Sequence, residues 1–98
     1  MPEPLDPVIH AESRLRIVTT LAELPPSDSL LFTRLAGLLD MTPGNLTTHL
    51  TKLEDAGYVT IAKTFEGRRP ATYLRLTPQG RAAYAAYLAQ LRRLLPGV

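Results

Sequence analysis

Residues 41–57 decide the fold, and they read MTPGNLTTHLTKLEDAG. Thr42 suits the N-cap of a helix, because its hydroxyl can accept a hydrogen bond from a free amide of the first turn. Pro43 then stands at the first helical position, where proline is preferred, and Gly57 is a common helix terminator. The residues that recur at helical spacing on the inner face are Leu46, Leu50 and Leu53. The stretch therefore predicts a short helix that begins at Thr42 and ends at Ala56-Gly57.

A second helix is predicted just before this one. Thr33 can cap a helix that runs through Asp40 and buries apolar residues at helical spacing. The segment Asp40-Met41-Thr42 leaves only a tight connection between the two helices. Two short helices joined by such a turn form a helix-turn-helix, whose second helix can enter the major groove of DNA.

After Gly57 the period of the apolar residues changes from helical to two. Residues 58–65 alternate as a strand, residues 66–70 read EGRRP and predict a turn, and residues 72–76 alternate as the returning strand. Thr77-Pro78 repeats the cap and the proline of the earlier helix and opens a C-terminal helix over residues 78–95. A hairpin directly behind the second helix is the wing of a winged helix-turn-helix.

The N-terminal part completes a single predicted domain over residues 1–98. Three prolines predict an extended arm over residues 1–7, because proline lacks an amide donor and restricts the residue before it. Helical spacing predicts a helix over residues 8–24, and residues 29–32 predict a short strand. The fold class is mainly α with a small β-hairpin, in the order helix, short strand, helix, helix, two-stranded wing, helix.

Composition limits the chemistry available to the chain. It has no cysteine, which excludes disulfides, iron–sulfur clusters and thiolate metal sites. His10 and His49 are its two histidines, and their spacing offers no converging set of ligands, so we expect no metal and no cofactor. No apolar run approaches the roughly 18 residues of a membrane span. The N-terminus does not read as a secretory signal, so we expect a cytoplasmic protein with no membrane partner.

Charge is distributed unevenly along the chain. Residues 1–62 carry four basic and eight acidic side chains, a net charge of −4, whereas residues 63–98 carry seven basic and one acidic, a net charge of +6. Such asymmetry favours a positive surface that faces an anion. The alternative is a solvated basic helix beside a basic hairpin.

The outer face of the second helix carries residue types that suit DNA. Gly44 permits a close approach to the DNA backbone, Asn45 can pair with an adenine edge, and Thr48 can reach a base or a thymine methyl group. Lys52 lies further along and suits a phosphate. The residues at the margins of this face are Thr47 and His49. Ordinary solvated polar residues are the alternative for the helix taken alone.

The tip of the wing carries residues that favour DNA binding over ordinary solvated polar residues. Arg68 and Arg69 place two guanidinium groups within reach of the duplex that the helix would contact. Arginine is suited to phosphates and to narrow minor grooves. An arginine pair on a surface is common, but its position directly behind this helix makes DNA binding the favoured interpretation.

Four segments resemble the winged-helix regulators of the MarR and ArsR classes. They are residues 32–36 (FTRLA), 41–59, 65–70 (FEGRRP) and 76–81 (LTPQGR), and the resemblance covers about 70 of the 98 residues. It implies a homodimer that binds a palindromic operator in double-stranded DNA and usually represses transcription, and it names no effector. The residues that would contact DNA by this resemblance are Thr42, Gly44, Asn45, Thr47, Thr48, His49, Lys52, Arg68 and Arg69.

The C-terminal helix carries more apolar surface than a lone terminal helix usually exposes. Its apolar residues at helical spacing are Tyr84, Tyr87, Leu88, Leu91, Leu94 and Leu95. We expect this surface to pair with a second copy of the chain, which would set two recognition helices about one DNA turn apart. The alternative is that the helix caps its own core.

No arrangement typical of an enzyme is present in the sequence. A glycine-rich phosphate loop, a nucleophile elbow and paired acids at a convincing spacing are all absent, so we expect no enzymatic activity. The main alternative function is a winged-helix module that binds another protein and has no specific affinity for DNA, since a fold does not fix a function.

Overall fold

Four helices and three strands make up the part of the chain, residues 4–97, that the computed structural model describes. The elements are α1 (Glu12–Ala22), β1 (Leu30–Leu31), α2 (Phe32–Leu39), α3 (Pro43–Asp55), β2 (Val59–Glu66), β3 (Arg69–Leu76) and α4 (Pro78–Leu94). This order confirms the predicted fold class. The first three residues of the predicted arm lie outside the described residues. No helix within residues 4–97 is long and apolar enough to cross a membrane.

The three strands form one antiparallel sheet in the order β1-β3-β2. The wing is the β2–β3 hairpin, whose register runs from Val59 opposite Leu76 to Glu66 opposite Arg69. The predicted five-residue turn is wrong in extent, because the strands continue until only Gly67 and Arg68 connect them. Gly67 has a φ of +64°, and glycine at the first central position is typical of such two-residue hairpin turns.

One hydrophobic core joins α1, α2, α3 and the base of the sheet. Its buried members are Ile17, Val18, Leu21, Leu35, Leu39, Leu46, Leu50, Leu53, Val59, Leu74 and Leu76. All three leucines predicted for the inner face of α3 are among them, so the opposite face of that helix is turned away from the core. The position of α3 is therefore fixed by apolar packing on one side and leaves its polar side open.

The first helix is four residues shorter at its start than the sequence predicts. The Asp6 carboxylate accepts from the Val8 amide at 2.8 Å and from the Ile9 amide at 3.3 Å, and the His10 amide donates to the Asp6 carbonyl at 2.7 Å. These bonds close a separate turn at residues 7–10, so the predicted extended arm ends before Pro7 and α1 begins at Glu12. The apolar residues of the turn lie in phase with the helix, which explains the wrong boundary.

The second helix begins at Phe32, directly after β1, and not at a Thr33 cap. Its N-cap is Leu31, which offers no capping side chain. At the other end Asp40 adopts the left-handed conformation with φ +53°, and the Met41 amide donates to the Ala36 carbonyl at 3.0 Å. This turn confirms the tight connection predicted between α2 and α3.

The start of α4 is hydrogen-bonded to the turn that follows α3. The Thr77 hydroxyl accepts from the Gly80 amide at 2.9 Å, as the predicted cap requires, and donates to the Gly57 carbonyl at 2.6 Å. The Thr77 amide donates to the Tyr58 carbonyl at 2.9 Å. Gly80 is buried so closely against Tyr58 that a Cβ atom there would lie 2.2 Å from the Tyr58 carbonyl oxygen. Any larger residue at position 80 would therefore force α4 or the backbone at Tyr58 to move.

Candidate nucleic-acid interface

The N-terminal end of α3 is open to solvent and is organised by its cap. The Thr42 hydroxyl accepts from the Asn45 amide at 3.2 Å, and Pro43 occupies the first turn, as the sequence predicts. At Gly44 a Cβ atom would meet nothing within 4 Å. Internal packing therefore does not demand glycine at this position, which is consistent with space kept for a molecule outside the chain.

The outer face of α3 is a surface of small polar side chains. Its exposed residues are Gly44, Asn45, Thr47, Thr48, Thr51 and Lys52. The Thr48 hydroxyl donates to the Gly44 carbonyl at 3.0 Å, and the Thr51 hydroxyl donates to the Thr47 carbonyl at 2.9 Å. Each hydroxyl proton is thus engaged within the helix, and each threonine presents its methyl group and an acceptor lone pair. Sequence reasoning missed Thr51, although it lies one helical turn after Thr47.

His49 sits between the exposed face and the core, in contact with α1. The Arg14 guanidinium lies 3.3 Å from Nδ1 of His49. Because arginine has no acceptor, the ring accepts there and carries its proton on Nε2. Partial burial, followed by the charges of Arg14 and Lys52, holds the pKa of His49 below its ordinary value.

Arg14 joins three parts of the chain and was missed in the sequence. Besides contacting His49, its Nε donates to the Val8 carbonyl at 2.6 Å. The side chain therefore ties the turn before α1 to the middle of α3. An arginine on a surface helix gives no sequence signal for such a role, because its partners lie far from it along the chain.

The wing carries four exposed cations. They are Lys63 on β2, Arg68 in the turn, Arg69 opposite Glu66 and Arg75 opposite Thr60. A groove of about 440 Å³ separates the helix from the hairpin, and both Thr47 and Thr51 of α3 border it together with Lys63. The structure therefore brings the polar face of α3 and the base of the wing to one groove. Lys63 was not predicted as a contact residue.

The basic residues of the C-terminal third do not form one surface. Arg81 is half-buried and donates to the carbonyls of Ala22 and Leu24, at 3.3 Å and 2.9 Å, so it serves the end of α1. Arg92 and Arg93 lie in the last turn of α4. The predicted positive surface therefore reduces to the wing and to Lys52, while the charge of Arg81 is used inside the domain.

The two tyrosines predicted to form a dimer contact face their own domain. Tyr87 is 1% exposed, and its hydroxyl lies 2.8 Å from Nδ1 of His10. The Tyr84 hydroxyl lies 3.0 Å from that of Thr19 on α1. Leu88 and Leu91 are half-buried, whereas Leu94 and Leu95 are exposed at 56% and 45%. The apolar surface that remains open is therefore the C-terminal end of α4.

Within residues 4–97, no group of three or more histidine, aspartate or glutamate side chains is arranged to hold a metal ion.

The chain is similar in sequence and in structure to known proteins. A family model described as a winged helix DNA-binding domain matches residues 13–95. An uncharacterised protein of Methanocaldococcus jannaschii is 36% identical over 87 residues, which cover 89% of this chain and 91% of that protein. A transcriptional regulator homologue from Pyrococcus horikoshii is 30% identical with a TM-score of 0.82, covering 92% of this chain and 86% of that one. A protein described as a MarR-family transcriptional regulator, from Enterococcus faecalis, is 27% identical with a TM-score of 0.72, covering 89% and 74%.

Proposed function

The chain belongs to the winged helix DNA-binding family, and on that premise we propose that it is a transcriptional repressor that reads an inverted-repeat operator as a homodimer. The observation that carries the proposal is the exposed polar face of α3 with a groove at its side, which Thr47, Thr51 and Glu54 of the helix border together with Lys63 of the wing. A helix of this kind fits the major groove, and a hairpin beside it can reach the sugar–phosphate backbone or the adjacent minor groove.

Base reading is assigned to the first two turns of α3. Asn45 is exposed in the first turn of the helix, where its side-chain amide can bond to both the acceptor and the donor of an adenine edge. Thr48 presents a methyl group and an acceptor, because its proton is held by the Gly44 carbonyl. It therefore suits a thymine methyl group or the amino group of adenine or cytosine. Thr42 and Thr47 border the same surface.

Contacts with the DNA backbone are assigned to three cations, Lys52, Arg68 and Arg69, and to the ring of His49. Lys52 and His49 lie further along α3, and Arg68 and Arg69 lie at the tip of the wing. Each phosphate that such a cation neutralises releases counterions, which gives affinity that falls with salt and does not depend on sequence. The neutral His49 ring keeps its Nε2 proton as a donor for a phosphate oxygen.

The homodimer is assigned to the open C-terminal end of α4. Leu94 and Leu95 are exposed there, next to the half-buried Leu88 and Leu91. A twofold contact through this surface would give each DNA half-site its own α3, at a separation near 34 Å, or one turn of the duplex. An operator that is an inverted repeat follows from that symmetry, and occupying it would block transcription.

The decisive experiment is selection of bound sequences from a pool of random duplexes, with the dimer measured by sedimentation at micromolar concentration. We expect an inverted repeat with half-site centres about one turn apart. The matched control is a variant with both Arg68→Ala and Arg69→Ala, which should lose affinity for selected and random duplexes alike. A protein-binding module would enrich no sequence and show no duplex affinity that falls with salt, and a chain that sediments only as a monomer would overturn the homodimer.

A further inference from the structure

The wing carries an apolar side chain where an ordinary solvated hairpin would carry a polar one. Phe65 is 69% exposed, more than any other large apolar side chain within residues 4–97. It pairs across the hairpin with Pro70, one pair before the terminal Glu66–Arg69 pair. Two apolar side chains thus form an exposed patch next to the tip of a basic wing.

This patch lies on the face of the hairpin that is directed toward α3. Side chains alternate between the two faces of a strand, so Phe65 shares its face with Lys63 and with Ile61. Both of those residues border the groove beside α3. Nearer the base, this face is covered by the core, and at Phe65 the hairpin has passed beyond that cover. A duplex held by α3 would therefore meet this face of the wing.

The charges around Phe65 indicate which kind of surface would bind to it. Lys63 precedes it on the same face and Arg68 follows it in the turn, whereas Glu66 and Arg69 form the next cross-strand pair and so lie on the opposite face. An aromatic ring framed by cations fits a minor groove, whose rims are phosphates and whose walls are the apolar edges of deoxyriboses. Proteins that insert phenylalanine or proline there unstack a base step and bend the duplex.

We propose that Phe65, supported by Pro70, is a wedge that enters the minor groove beside each half-site and partly unstacks one base step. This proposal rests on the proposed DNA-binding function and adds a bending activity to it. Pyrimidine–purine steps unstack most readily, so the operator should carry a TA or CA step under the wing. Binding would then depend on the sequence of a base step whose edges the protein does not contact.

The test uses the duplex selected from the random pool, with 2-aminopurine replacing single adenines outside the α3 half-sites and with a dye pair on its ends. Wild-type protein should raise the 2-aminopurine fluorescence at one step on each side and shorten the end-to-end distance. Phe65→Ala should abolish the fluorescence rise, reduce the bend and weaken binding about tenfold, which is at the lower end of what burying a phenylalanine contributes.

Two variants separate the wedge from the charges and from the fold. Phe65→Leu keeps an apolar side chain and should retain part of the bend, whereas Arg69→Ala should lower the salt dependence by about one phosphate contact and leave the fluorescence rise in place. Leu38→Ala, at a 58% exposed site on α2, is the control for loss of exposed apolar surface and should change neither readout.

Two outcomes would overturn the wedge. Wild-type protein that binds the duplex with a normal salt dependence, but gives the same fluorescence and bend as Phe65→Ala, overturns the wedge and leaves the DNA-binding function standing. Wild-type protein that binds no duplex overturns both. Thermal unfolding of Phe65→Ala should match that of wild type, because the side chain is exposed.

Discussion

Replacing Gly80 by alanine should destabilise the protein, although alanine is the better helix former. A Cβ atom at position 80 would lie 2.2 Å from the Tyr58 carbonyl oxygen and 3.0 Å from the carbonyl carbon and from Cα of Tyr58. All three are backbone atoms, so no side-chain rotation relieves the contact. Carbon and oxygen atoms need a separation of more than 3 Å, so α4 or the turn at Tyr58 must move by about 1 Å.

Neither side of this contact is free to move. The Tyr58 amide donates to the Leu53 carbonyl at 2.9 Å, and the Tyr58 carbonyl accepts from Thr77 at 2.9 Å. Overpacking of this kind costs about 1–3 kcal/mol, and losing one of these hydrogen bonds adds about 1 kcal/mol. The gain from replacing a helical glycine by alanine is at most about 1 kcal/mol. We therefore expect Gly80→Ala to lower the free energy of unfolding by about 2 kcal/mol.

The matched control is Gly37→Ala on α2, where a Cβ atom would meet nothing within 4 Å. That change should raise the free energy of unfolding by about 0.5–1 kcal/mol. Urea and thermal unfolding followed by circular dichroism, at one protein concentration, measure both variants. A loss of about 2 kcal/mol should lower the Tm by roughly 10 °C in a domain of this size. The reasoning is refuted if Gly80→Ala is as stable as Gly37→Ala.

Three further predictions concern the DNA-binding face and two titrating groups. Lys52→Ala should weaken binding to selected and random duplexes equally and lower the salt slope by about 0.9, whereas Asn45→Ala should weaken only the selected one. Equal losses for Asn45→Ala in a filter-binding titration would reject base reading. The hydrogen bond from Tyr58 to Asp6 raises the pKa of that phenol to about 12, so its stabilisation should be complete below pH ~10 and lost as the pH rises toward 12. Ultraviolet titration of Asp6→Asn should show one tyrosine returning toward a pKa of ~10, and an unchanged curve would contradict the assignment. Because the pKa of His49 is lowered in the folded protein, the unfolded chain binds a proton at a higher pH than the folded chain does. The free energy of unfolding should therefore fall as the pH drops below ~6.5. His49→Gln should flatten that dependence in urea unfolding, and an equally steep profile would argue against it.

The elements that sequence reasoning placed correctly are those with local signals. Thr42 and Thr77 each stand before a proline and cap a helix through the amide three residues later, as predicted. The change of period after Gly57 marked the hairpin. Each of these signals lies within a few residues of the structure that it specifies, because caps and alternation act through neighbouring backbone groups.

The features that were missed depend on partners distant in sequence. Arg81 looked like part of a positive surface, yet it satisfies carbonyls at the end of α1, 57 and 59 residues away. Arg14 reaches His49 across 35 residues. A charged side chain has the same local pattern whether it faces solvent or an orphan carbonyl of another helix. Only the tertiary arrangement distinguishes these two uses.

The apolar residues of α4 also have partners that the local sequence does not reveal, and this affects the proposed dimer. Helical spacing identifies Tyr84 and Tyr87 as one apolar side of α4, but it does not say whether their own domain or a second copy covers it. Their hydroxyl contacts with Thr19 and His10 assign both tyrosines to their own domain. A dimer contact at Leu94 and Leu95 would then act on a helix whose first half is already held by α1 and by the turn before it. The beginning of that helix touches the turn that follows α3, through Gly80 and Tyr58. In the proposed dimer the spacing of the two recognition helices would therefore depend on the packing at Gly80, so a variant there that still folds should bind single half-sites normally and lose affinity for the paired operator.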